Sequence, residues 1–179
     1  METINIQIFQ DDVYEEVAKA TDYTGSKLID GNEVDRDRIL AADDDLAELS
    51  RFWEESVIAT NENLKEMLVS GSTKLIHPQI NPYSQPVGSI AQENSDSIIP
   101  VLDQLAYEAV IEVSKSFDKV LAASVQSTLR SFFIASIIGQ WFKFANKDEA
   151  KDYFIQAADM MEAAERLLYS RRKPTRPTD

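Results

Sequence analysis

One run of large apolar residues constrains this fold more than any other stretch: Phe132, Phe133, Ile134, Ile137, Ile138, Trp141 and Phe142. Their spacing predicts a helix from Asp118 to Phe144 that is apolar nearly all round. Such a helix has to be buried on most sides. Ser124, Ser127, Ser131, Ser136 and Gly139 are small enough to let neighbouring helices approach it closely. A second helix is predicted from Lys147 to about Tyr169. Ala150, Tyr153, Phe154, Ala157, Met161, Ala164 and Leu168 form one stripe along it. Asp148 and Glu149 complement the dipole at its start, as Arg166, Arg171 and Arg172 do at its end, and Lys173-Pro174 stops it. Two helices cannot bury this much apolar surface alone, so the rest of the chain has to supply the other walls.

The preceding chain offers those walls. Ile4, Ile6 and Ile8 alternate with polar residues, the pattern of a short strand or an extended arm. A helix is predicted from Asp11 or Asp12, with Asp12 and Glu15 as a capping box and Gly25 as the stop. Asp30-Gly31-Asn32 is a turn signal. A further helix is predicted from Asp43-Asp44-Asp45 to about Leu68, about seven turns long. Its stripe is Leu46, Leu49, Trp53, Val57, Thr60, Leu64 and Met67, and its outer faces are acidic. Residues 70–100 hold Gly71, Pro78, Pro82, Pro86, Gly88 and Pro100, and read as a long projecting or flexible loop. Tyr107, Ala109, Ile111 and Val113 alternate as a strand over 107–113, although a helix from Val101 to Lys115 also fits. Phe117-Asp118 then supplies a stop and a cap. The expectation is one mainly α domain over residues 1–179: a bundle of about four helices with a long irregular loop and one or two short strands.

Composition narrows the chemistry. The chain lacks cysteine, which removes disulfides and thiolate catalysis. Its one histidine, His77, lies in the proline-containing loop, where a lone histidine reads as a surface residue. No Glu-x-x-His pair supports a di-iron bundle. Asp43-Asp44-Asp45 lacks the remaining ligands of a calcium loop and reads as a helix start. No phosphate-binding glycine motif or nucleophile elbow is present. No catalytic, cofactor-binding or metal-ligating residue is therefore assigned. Met1-Glu2-Thr3 is acidic with no apolar run after it, so no secretory leader is expected. Phe132 to Gly139 is short of the roughly 20 residues that span a bilayer, so no membrane is expected.

Net charge is −13, unevenly placed: from Arg166 onward five bases (Arg166, Arg171, Arg172, Lys173, Arg176) face one acid, Asp179. The acidic body argues against non-specific DNA binding. The basic end, held extended by Pro174 and Pro177, suits an acidic surface on a neighbour or a nucleic-acid backbone. Residues expected to make contacts are Arg171, Arg172, Lys173 and Arg176 of this tail, with His77 and Tyr83 of the loop from Ser72 to Pro86.

Several segments carry a resemblance. Ser127-Thr128-Leu129-Arg130-Ser131-Phe132-Phe133, Gln140-Trp141-Phe142 and Leu168-Tyr169-Ser170-Arg171-Arg172-Lys173-Pro174 resemble the C-terminal half of head–tail connector (adaptor) proteins of tailed bacteriophages. Val13-Tyr14-Glu15-Glu16-Val17 and Leu49-Ser50-Arg51-Phe52-Trp53 are similar to connectors from phages and prophages of Bacteroides-type bacteria. The resemblance covers most of the chain outside 70–100. It implies a non-enzymatic virion protein, without cofactors, that docks as a ring (twelve-fold in that family) between the portal protein and the next tail component. DNA would pass through the ring without being specifically bound. The long loop and the strand at 107–113 depart from the simplest connectors. Two alternatives stay open: a soluble helical protein–protein adaptor, and another tail-completion protein.

Overall fold

The computed structural model describes residues 1–28, 45–76 and 104–171. In chain order these form β1 (Glu2–Phe9), α1 (Gln10–Leu28), α2 (Leu46–Asn63), β2 (Leu68–Ile76), β3 (Gln104–Val113), a 3₁₀ turn (Lys119–Leu121), α3 (Ala122–Ala145) and α4 (Lys147–Leu168). The architecture is mainly α with a few strands: four helices among the described residues, and one three-stranded antiparallel sheet.

The sheet order is β1-β3-β2. Register follows from the alternation of apolar residues. Ile4 pairs with Ile111, Ile6 with Ala109 and Ile8 with Tyr107, and all six side chains are buried. A one-residue slip would turn both sets to the other face, so burial fixes the pairing. The strand reading of 107–113 holds, extended back to Gln104, and the competing helix is not formed.

β2 corrects the sequence reading. The sequence pattern carries the helix from Asp43 as far as Leu68 and starts the loop at residue 70. Instead α2 ends at Asn63, residues 64–67 turn, and Leu68–Ile76 pairs along β3 with a register irregularity between Leu68 and Ser70. The helix is therefore five turns long, not seven. Ser72 to Ile76 is strand, and residues 77–100 lie outside the described residues. Gly71 shows why the strand sits here. A Cβ at that position would collide with Asn61 Oδ1 and lie 2.9 Å from the Tyr107 hydroxyl. Tyr107 donates to Asn61 Oδ1 at 2.9 Å, and Asn61 Nδ2 donates to the Gly71 carbonyl at 3.1 Å. Only a residue without a side chain admits this link between helix and sheet.

Other boundaries also move. α1 starts at Gln10 and continues past Gly25 to Leu28, so Asp11 and Asp12 lie in its first turn and complement the dipole. α4 ends at Leu168, with the Tyr169 amide bonded to the Glu165 carbonyl, before Lys173-Pro174 is reached. Asp118 caps the 3₁₀ turn by accepting from the Val120 amide at 3.3 Å. The turn at Asp30-Gly31-Asn32, with Asp43 and Asp44, lies outside the described residues.

α3 is the central element. It packs most extensively against α4 and also touches α1, α2 and β1. Phe133, fully buried, holds the middle. Its ring centroid lies 4.8 Å from Trp53, 5.4 Å from Tyr107 and 5.8 Å from Phe132. Small residues matter at two of the five anticipated positions. The Ser136 and Ser56 hydroxyls pair at 2.9 Å in the α2–α3 contact, and Gly139 lies under the Phe154 ring. Ser124 and Ser127 face solvent, and Trp141 is half-buried, not core. By length and composition alone Lys119–Lys143 would cross a membrane, which the shorter apolar run had not suggested. Here its Val125, Leu129, Phe133, Ile137 and Phe142 are buried within the body.

Candidate interaction surfaces

The two ends of the sheet carry different attachments. At one end Glu2 pairs with Val113, and Leu68 with Ile111. Arg171, just past α4, forms an isolated antiparallel bridge with Phe117 at this same end. Arg171, Glu66, Met67, Glu112, Lys115 and Leu168 help line a cavity of about 550 Å³ there. The basic segment 172–179 therefore attaches beside two glutamates. At the other end Phe9 pairs with Ala106, and Ile76 with Gln104, so residues 77–103 attach there. At roughly 3.3 Å per residue, the two attachment points are about 30 Å apart along β3.

The α3–α4 hairpin forms a second surface. Asn146 has an extended backbone that reverses the chain, and its side chain accepts from the Glu149 amide at 3.4 Å to cap α4. This turn brings Lys143, at the end of α3, beside Lys147 and Lys151 of α4. With Ala150, Phe154, Ile155 and Ala158 they line a cavity of about 570 Å³. None of the three lysines forms an ion pair among the described residues. Phe154 is 41% exposed and Ile155 52% exposed. α4 rises about 1.5 Å per residue, which sets this tip about 33 Å from the tail attachment.

α2 also turns an acidic face outward, and its Glu55 lines one groove with Lys143 and Phe154 of that surface. Ile58, 56% exposed, has Glu54 and Glu62 one helical turn away on either side and Glu55 three residues before it. Between α2 and α4 runs a groove floored by Ser136 and walled by Ala59 and Phe154.

Burial pushes the Tyr107 hydroxyl well above its ordinary range; burial, then Glu54 and Asp11, does the same for Tyr14. Both stay protonated at neutral pH. The Tyr14 hydroxyl is buried with no hydrogen-bond partner, its ring held edge-on against Trp53 at 6.3 Å. Among the described residues no group of three or more His, Asp or Glu is placed to hold a metal ion.

Of the anticipated contact residues, Arg171 is exposed at the tail attachment. Arg172, Lys173, Arg176, His77 and Tyr83 lie outside the described residues. The lysine cluster went unread because its i, i+4, i+8 spacing crosses a helix boundary at Asn146. The spacing assigns Phe154 to the buried stripe, yet it is partly exposed and lies over Gly139 at the edge. No family model matches the chain, and comparison with curated proteins and with solved structures likewise finds no match.

Proposed function

We propose that the chain is a virion structural protein of the head–tail connector class, non-catalytic, acting through contacts with copies of itself, the portal protein and the next tail component. The observation that carries this reading is the placement of the basic segment 172–179 and the long β2–β3 connection at opposite ends of one sheet, about 30 Å apart. A subunit joining a component above to one below needs contacts at both ends of its body. The basic tail serves one end and the β2–β3 connection the other, and the acidic body between them does not grip passing DNA. The resemblance of its C-terminal helices to connectors supports the same reading.

The test is binding of purified protein to DNA-filled, tail-less phage heads, imaged by negative-stain electron microscopy. The expected result is an added ring of density at the portal vertex. Heads left bare at saturating protein would refute the connector role.

A further inference from the structure

We infer that copies of this chain contact one another by seating Ile58 of one copy in the lysine-rimmed pocket of α4 on the next. This deepens the assembly reading and rests on it only for the premise that copies associate.

The pocket asks for an occupant of a particular kind. Its interior is apolar, formed by Ala150, Phe154, Ile155 and Ala158, and its rim is Lys143, Lys147 and Lys151. Three ammonium groups on one rim, without an ion pair among the described residues, repel one another, and an apolar group flanked by acids relieves that repulsion as it fills the pocket. The α2 face supplies that combination. Ile58 projects from a helix turn that bears Glu54, Glu55 and Glu62. Glu54 also accepts from Thr73 at 3.3 Å, and Glu55 lies 3.7 Å from Arg51, but all three carboxylates are on the exposed face. Two other exposed apolar side chains do not match the rim: Leu75 adjoins Lys74, and Val120 adjoins Lys119. Each copy carries both halves of the contact, so the contact can repeat from subunit to subunit.

Disulfide trapping tests this directly, because the natural chain has no cysteine. Protein carrying Ile58→Cys is mixed with protein carrying Ala158→Cys and oxidised gently, and the linked dimers are counted by mass spectrometry. The mixed dimer is expected to dominate both homodimers. Adding Lys147→Glu and Lys151→Glu to the Ala158→Cys protein should cut the mixed dimer about tenfold at low salt. Adding Glu55→Lys and Glu62→Lys to the Ile58→Cys protein should then restore it. Circular dichroism confirms that each variant is folded. Mixed and homodimers in statistical proportions would overturn the inference, as would a mixed dimer indifferent to charge reversal. No phage heads are present in this experiment. A negative result therefore leaves portal docking standing, and failure to dock on heads leaves this contact standing.

Discussion

Replacing Gly71 by alanine tests the link between α2 and the sheet. A Cβ at residue 71 collides with Asn61 Oδ1, and Leu68 Cδ2 is only 3.2 Å away on another side. Asn61 has to move, and two hydrogen bonds then fail together: Tyr107 to Asn61, and Asn61 to the Gly71 carbonyl. Each bond is worth about 0.5–1.5 kcal/mol, and a buried hydroxyl left without an acceptor costs about 1–3 kcal/mol. Alanine regains roughly 0.5–1 kcal/mol in a strand. The net loss is about 2–4 kcal/mol, which for a chain of this size lowers Tm by roughly 5–15 °C. Urea denaturation of Gly71→Ala, Asn61→Ala and the double variant measures it. If the cost is the collision with Asn61, the double variant loses less than the sum of the singles, by about 1 kcal/mol or more. Strict additivity, or a Gly71→Ala protein as stable as the parent, would refute the reasoning.

Phe133→Ala removes the ring on which Trp53, Tyr107 and Phe132 converge and should cost about 3–5 kcal/mol in urea denaturation; under 1 kcal/mol would mean the centre collapses to fill the gap. Asn146→Ala removes the α4 cap and should cost about 1 kcal/mol, largely regained with Asp in its place, as thermal melts of the three proteins will show. Burial raises the Tyr107 hydroxyl above its unfolded value near 10, so its contribution to stability is fully present below pH 10 and is lost as pH rises beyond it. Urea midpoints between pH 8 and 11 should fall less steeply for Tyr107→Phe than for the parent, and equal slopes would contradict that assignment. Changing Arg171, Arg172, Lys173 and Arg176 to Gln should leave melting unchanged and weaken binding to phage heads at low salt, a difference that shrinks as salt is raised.

The C-terminal hairpin was legible because its residues act locally. The spacing of Ala150, Ala157, Met161, Ala164 and Leu168 fixes a buried helix face, and all five are buried. The alternation from Tyr107 to Val113 similarly revealed the central strand. β2 was not legible. Its sequence, Leu68 to Ile76, contains a glycine and several polar residues, and it is a strand because β3 lies beside it and Asn61 reaches across to its backbone. The surfaces followed the same rule. Arg171 announced itself as part of a basic run in sequence, whereas Lys143 meets Lys147 and Lys151 only after Asn146 has turned the chain.

The sheet order also sets a timetable for synthesis. Gln7 and Glu108 face each other across β1 and β3 but are 101 residues apart in the chain. At about 5–20 residues per second, the first strand waits roughly 5–20 s on the ribosome for its partner. Through that interval Ile4, Ile6 and Ile8 belong to a strand with nothing to pair with, a template for stray association between nascent chains. The element best placed to cover them is α1, which begins at the very next residue after the strand and is complete within a few seconds of it.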